Sequence, residues 1–215
     1  MLCVNVAAGR FPEEEFINLD NSMFLGALPL YKRFKWIFPK KYYQNFDEHW
    51  IPITKNNKYK RHNCTKPLPF KSNTVDHILC SHFIEHVYPR EAEKILNDFF
   101  DKLVPNGTLH IIVPDLKYLS KKYLDSNNPD AASEFMKEAM QFNFNKPSLV
   151  YRLLESTGNF GLEHRWMYDS ENISKLLLAA KFKIVEKIDN LPSKKYYETY
   201  AAEEGNLQIF AVKDL

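Results

Sequence analysis

Apolar positions along the chain fall into short strand-length runs, separated by stretches with either helical spacing or no period. Leu2-Cys-Val-Asn-Val6 is one such run, ended at once by Ala7-Ala8-Gly9. Phe16-Ile-Asn-Leu19 is a second, and it stops at Asp20. Residues 21–58 show no long period; Met23 to Phe38 is aromatic and apolar, and Lys55-Asn-Asn-Lys58 reads as a polar turn. Tyr59 to His62 fits a short strand. Val75, Ile78, Leu79 and Cys80 follow the turn formers Lys71-Ser-Asn-Thr, which predicts a buried strand ending in Ser81-His82.

Arg90 to Val104 carries Ala92, Ile95, Leu96, Phe99, Phe100 and Leu103 at helical spacing. Pro89 suits the first turn of that helix, and Pro105-Asn106-Gly107 is breaker chemistry at its end. Leu109-His-Ile-Ile-Val113 is a buried strand closed by Pro114-Asp115. Residues 116–156 read as two or three helices. Ser170 reads as the cap of a helix to Lys181, with Ile173, Leu176, Leu177 and Ala180 on one face. Phe182 to Ile188 and Leu207 to Val212 are the last two strands.

Strands alternating with helices predict an α/β fold with a mostly parallel sheet and helices on both faces. The last link, residues 189–206, is weak in helical periodicity. A loop there permits an antiparallel hairpin, whereas a parallel pair needs a crossover. The preferred architecture is therefore a parallel sheet ending in an antiparallel hairpin. At 215 residues the chain is expected to be one domain, 1–215.

Composition narrows the function classes only slightly. The net charge of +2 implies no strongly charged partner. Cys3, Cys64 and Cys80 are an odd set without close spacing, so buried free thiols in a reducing cytoplasm are expected. No apolar run reaches membrane-spanning length, and the first residues lack the order of a secretory signal. The sequence leaves the oligomeric state open.

Candidate chemistry gathers at strand ends. Ser81, His82, Glu85 and His86 follow a buried strand, where open α/β sheets bind ligands. Gly9 and Asp20 end the first two strands; their plain alternatives are a structural turn glycine and a solvated acid.

In chain order these features resemble the S-adenosylmethionine-dependent methyltransferases with a Rossmann-like fold, close to the small type 11 group. Val4-Asn-Val-Ala-Ala-Gly9 matches the family's first strand and cofactor turn, and Ile17-Asn-Leu-Asp20 matches the strand whose acid binds both ribose hydroxyls. His62-Asn63-Cys64 and Pro67-Leu-Pro-Phe70 through Asp76 match its adenine-side residue and "PLPF" segment. Ser81-His-Phe-Ile-Glu-His-Val87 looks like the loop after the fourth strand. Leu103-Val-Pro-Asn-Gly107 with Leu109 to Asp115 looks like the "L-x-P-G-G" turn and fifth strand. His164-Arg-Trp-Met-Tyr168 resembles the segment leading to the last strands. The resemblance implies S-adenosylmethionine as cofactor, held by Ala7, Ala8, Gly9, Asp20, Asn21, Asn63, Cys64, Ser81 and His82. It also implies cap segments at 21–58 and 115–168.

The chain departs from that pattern in several places. Ala7 and Ala8 stand where the family commonly has glycine, and Asn63 where aspartate is frequent. Gly9 and Asp20 are too close for a full helix between the first two strands. A non-catalytic module with a weakened cofactor site is therefore carried beside the enzyme reading. A nicotinamide-dependent oxidoreductase lacks the G-x-G-x-x-G set it needs.

Transfer to a sugar, glycan or other small-molecule hydroxyl requires help in removing the proton, and histidine suits that task near neutral pH. His82, His86 and His164 are the candidates. His86 or His164 is the expected base, and Asp115 an orienter or alternative base. The histidines' plain alternative is capping or packing. No zinc-type Cys or His spacing is present, so no metal is expected. Lys32 to Tyr43 and Lys55 to Arg61 interleave cations with aromatics. We read them as a cap rather than a nucleic-acid surface, and they are compatible with contact at a membrane surface.

Overall fold

Backbone pairing, rather than helix packing, sets the frame of the molecule. The computed structural model describes residues 1–140, 163–188, 191–192 and 204–214. Its strands are β1 (Cys3–Val6), β2 (Ile17–Asp20), β3 (Lys58–Arg61), β4 (Val75–Ser81), β5 (Leu103–Pro114), β6 (Lys183–Val185) and β7 (Asn206–Val212). They form one sheet in the order β3-β2-β1-β4-β5-β7-β6. The pairs from β3 to β5 are parallel, and β7 runs antiparallel to both neighbours. The expected hairpin is thus present, with β7 inserted between β5 and β6. The strand order reverses direction between β1 and β4, the position at which open α/β sheets form a crevice at their carboxyl ends.

The helices are α1 (Met23–Arg33), α2 (Ile51–Asn56), α3 (Pro89–Lys102), α4 (Leu116–Leu124), α5 (Ala131–Met140) and α6 (Ser170–Ala179). The buried stripe Ala92, Ile95, Leu96 and Phe99 of α3 meets Ile173 and Leu177 of α6 in one cluster. That cluster also holds Val4, Val6, Ile78, Cys80, Ile111 and Ile209 from the sheet. Burying each large apolar side chain contributes roughly 1.5–3 kcal/mol, so this layer dominates stability.

The opposite sheet face is partly polar. His77 pairs with Thr108 across β4 and β5, its Nδ1 2.6 Å from the Thr108 Oγ1. His110 lies opposite Phe210 on β7, the rings stacked at 4.4 Å. Asn18 Oδ1 accepts from Asn5 Nδ2 (3.0 Å) and from the Glu13 amide (2.9 Å), while its own Nδ2 donates to the Glu13, Phe16 and Lys58 carbonyls. Asn5 Nδ2 also donates to the Phe11 carbonyl. These two buried amides fold the short link between β1 and β2, satisfying backbone groups that a helix would otherwise satisfy.

Several sequence expectations are corrected. The helix expected to Val104 ends at Lys102, and the strand already begins at Leu103. Pro105-Asn106-Gly107 lies inside β5 at an irregularity, where pairing with β4 shifts between Val75 and His77. Asp169, not Ser170, caps α6, its Oδ1 accepting from the Asn172 amide at 2.8 Å. The penultimate strand spans only Lys183–Val185.

Residues 21–58 are largely helical. Pro29 sits inside α1, and a wide turn at Asn45–Trp50 precedes α2, so no single period runs through the segment. Leu28, Tyr31, Phe46 and Trp50 form a separate cluster, with Tyr31 stacked on Phe46 at 4.0 Å. Tyr31 also donates to Asp47 Oδ1, and Lys35 to Asp47 Oδ2. The segment 115–168, expected as a second cap, is described only over 115–140 and 163–168. Among the described residues, no helix is long and apolar enough to cross a membrane.

Candidate functional site

The carboxyl ends of β1, β2 and β4 bring most of the sequence-predicted residues to one edge. Directly after β1, Ala7 and Gly9 both take φ 54°, in the left-handed region. Glycine enters it freely, and a residue with a side chain pays about 1–2 kcal/mol. Ala7 therefore adopts a glycine conformation while keeping its methyl group. A Cβ added to Gly9 would meet nothing within 4 Å, so the turn faces open space.

Asp20 ends β2 and faces this turn. Its Oδ2 accepts from the Gly9 amide at 2.9 Å and its Oδ1 from the Ser22 amide at 2.6 Å. Burial raises its pKa above the ordinary carboxylate value, and the two amides pull it back down. An ionised carboxylate has about four lone-pair positions, so two backbone amides leave capacity for two hydroxyl donors. Asn21 follows directly.

Tyr59 on β3 donates its hydroxyl to the Gly9 carbonyl at 3.0 Å, clamping the turn from the other side. Sequence reasoning missed it, because an aromatic in a short strand looks like any packing residue. Cys64 also lies against the turn, with the Ala7 amide as a hydrogen-bonding neighbour. Burial pushes its thiol up to about 12, so it packs as a neutral group. Asn63 Oδ1 accepts from the Thr65 amide (3.0 Å) and hydroxyl (2.9 Å), which commits that oxygen to the local turn.

Beyond β4, Ser81 is buried and His82 takes φ 48°, a strained conformation for a residue with a side chain. Its amide donates to the Ile112 carbonyl of β5 at 2.9 Å. A tight turn over Ile84–His86 follows. There Glu85 is fully buried, with His82 Nδ1 3.3 Å from its Oε1.

His164 reaches the same place through backbone hydrogen bonds. The Arg165 and Trp166 amides both donate to the Glu85 carbonyl, at 2.7 and 3.1 Å. Tyr168 bridges Asp115 at the end of β5, and the His164 amide donates to the Met140 carbonyl. This puts His86 and His164 edge to face, their ring centroids 4.9 Å apart. The His164 imidazole has its pKa lowered by burial, opposed by the hydrogen bond to Ala139 and the Glu85 charge. Tyr168 is buried beside them, and burial together with the Glu85 charge raises its pKa. Asp115 has a structural use: its Oδ1 accepts from the Lys117 amide at 2.8 Å and caps α4.

Known proteins bear on this geometry in two ways. A family model described as a methyltransferase domain matches residues 44–111, the span from the wide turn before α2 through β4 and α3 into β5. Among solved structures, an S-adenosylmethionine-dependent methyltransferase from Methanosarcina mazei superposes with a TM-score of 0.53 at 17% identity, covering 99% of this chain and 92% of its own. The fold is that of the methyltransferases. A second S-adenosylmethionine-dependent methyltransferase, from Thermotoga maritima, gives 0.52 at 14% identity over 99% and 82% of the two chains. An O-methyltransferase family protein from Burkholderia thailandensis gives 0.50 at 10% identity, covering 99% of this chain and 51% of its own. No curated protein matches the sequence. The methyltransferase-domain match excludes Ala7–Gly9 and Asp20, so those residues rest on the geometry of this methyltransferase fold rather than on the matched span.

Proposed function

We propose that the chain is an S-adenosylmethionine-dependent methyltransferase acting on a hydroxyl of a sugar, glycan or other small molecule. The observation that supports this most is the pairing of the Gly9 turn with the half-buried Asp20 carboxylate at the carboxyl ends of β1 and β2, beside the crevice between β1 and β4. The residues present fit the cofactor. Gly9 opens onto free space, and Asp20 keeps acceptor capacity suited to vicinal hydroxyls. Asn21, Asn63, Cys64, Ser81 and His82 line the edge around them, with Ala7 and Ala8 forming the turn itself.

When bound, the cofactor supplies a methyl group activated by a sulfonium, open to in-line attack. The protein's part is to hold the acceptor in line and to take its proton. His86, half-buried beside His164 and Glu85, is the group we assign to that proton. The Glu163 carbonyl, 3.2 Å from its Nδ1, orients it, His164 packs edge to face against its ring, and Asp115 anchors the neighbouring helix α4. A second reading, a non-catalytic module with a weakened site, draws on Ala7, whose methyl group occupies a turn better suited to glycine.

The free, buried cysteines favour a cytoplasmic setting. Trp36 is 79% exposed, and Phe34 and Ile37 are exposed beside it. Together with Lys32, Arg33, Lys40 and Lys41 they favour contact with an anionic membrane surface, where a lipid-linked acceptor would lie. Turnover of methyl-labelled cofactor against a panel of saccharides and alcohols tests the acceptor class. Transfer to nitrogen acceptors alone would refute the O-methylation reading.

A further inference from the structure

We propose that Glu85, His86 and His164 form a binding site for a divalent transition-metal ion. The argument rests on which atoms carry protons. His164 Nδ1 lies 2.5 Å from the Ala139 carbonyl oxygen. A carbonyl only accepts, so Nδ1 holds the hydrogen and Nε2 keeps its lone pair. That Nε2 is buried without a hydrogen-bond partner. His86 repeats the arrangement, with Nδ1 3.2 Å from the Glu163 carbonyl oxygen. Backbone carbonyls that fix the ring tautomer in this way are the usual outer support of metal-binding histidines.

The third group is Glu85. Its side chain is fully buried, and neither carboxylate oxygen has a hydrogen-bond partner. His82 Nδ1, 3.3 Å from Oε1, approaches without hydrogen-bond geometry. One donor atom from each of Glu85, His86 and His164 lies within 4.8 Å of the others. Two imidazoles and a carboxylate thus converge, and the Glu85 oxygens and His164 Nε2 are buried there without hydrogen-bond partners. Such a cluster is unfavourable by itself, and a cation at its centre resolves it.

The donor set selects the class of ion. Two imidazoles and one carboxylate suit zinc, iron or nickel, whereas calcium and magnesium prefer oxygen throughout. Bond lengths near 2.1 Å place donors roughly 3.4 Å apart around a tetrahedral ion, so closing the cluster needs side-chain shifts on the order of 1 Å. Half-buried His86 has room for that. Glu85 and His86 are sequence neighbours while His164 arrives from a distant segment, which is why no local spacing announced the site. Three protein ligands leave a position open. On the methyltransferase reading, that position takes the acceptor oxygen and makes its proton easier to lose, so in the metal-loaded chain His86 is a ligand and the proton goes to water in place of His86. Metal binding itself does not depend on that reading.

The full chain, stripped with a chelator, tests the proposal through calorimetric titration with Zn2+ and the visible spectrum after Co2+ loading. The expected result is one equivalent of Zn2+ per chain and the intense d–d absorption of a four- or five-coordinate Co2+. His86→Ala and Glu85→Gln should each weaken Zn2+ binding at least tenfold while circular dichroism stays unchanged. Substoichiometric binding, or folded variants that keep the original affinity, would overturn the site. S-adenosylhomocysteine is titrated in parallel. Its binding without Zn2+ binding rejects the metal site alone, and Zn2+ binding without it leaves the metal site standing while contradicting the methyltransferase reading.

Discussion

The Gly9 amide donates to the Asp20 carboxylate across 2.9 Å, tying the turn after β1 to the end of β2. The same carboxylate is the acceptor proposed for the ribose hydroxyls, so one side chain both shapes the turn and reads the ligand. Asp20→Ala should therefore lower affinity for S-adenosylhomocysteine at least tenfold, since hydrogen bonds to a charged group are worth about 1.5–3 kcal/mol. Gly9→Ala should do likewise while costing about 1–2 kcal/mol of stability through its positive φ. Calorimetry and urea unfolding read the two effects separately; full affinity in both variants would remove the turn from the site.

Ala7→Gly makes the opposite prediction. Relieving a left-handed alanine should stabilise the chain by about 1 kcal/mol, less any gain in unfolded-state entropy, and should not weaken ligand binding. A loss of stability on urea unfolding would show that the Ala7 methyl contributes packing that outweighs the backbone strain.

The buried histidines predict acid sensitivity. Desolvation, with the nearby His110 charge, pushes His77 down to about 3, and desolvation pushes His110 down to about 4. Both values lie below the ordinary histidine value of about 6.5, so the unfolded chain takes up these protons first. Stability is then full above about pH 6.5 and falls as pH drops toward the folded values, by roughly 1.4 kcal/mol per pH unit for each group. Urea unfolding at pH 7 and pH 5 should show that loss, and His77→Gln should remove about half of it. Equal stability at both values would contradict the assignment.

Legibility in the sequence followed the range of the interactions. The parallel sheet, α3 and the edge that carries Gly9, Asp20 and Ser81 could be read from runs, breakers and chain order, because short-range patterning determines them. The helices of residues 21–58 could not, because Pro29 and the wide turn at Asn45–Trp50 break the period. Aromatics such as Trp36 also point outward while Tyr31 and Phe46 point in. Asp115, expected as an orienter or alternative base, also caps α4, a use that depends on its contact with the Lys117 amide and that no local pattern distinguished. The convergence of His164 on Glu85 is set by backbone hydrogen bonds between distant segments, which no local pattern encodes.

Exposed Trp36, Phe34 and Ile37 among cations predict adsorption to anionic bilayers. Each cation near such a surface adds about 1 kcal/mol, and salt screens it. Co-sedimentation should be clear with vesicles rich in anionic lipid, weak with neutral ones, and reduced several-fold in Trp36→Ala. Equal partitioning onto both vesicle types would refute a charge-directed surface.

The most direct test of the account is titration calorimetry of the full chain with S-adenosylmethionine and S-adenosylhomocysteine. The account predicts binding of one molecule per chain, lost in Asp20→Ala under conditions where that variant remains folded. Absence of binding for both compounds to the folded wild-type chain would contradict it, and would leave a methyltransferase fold that no longer holds its cofactor.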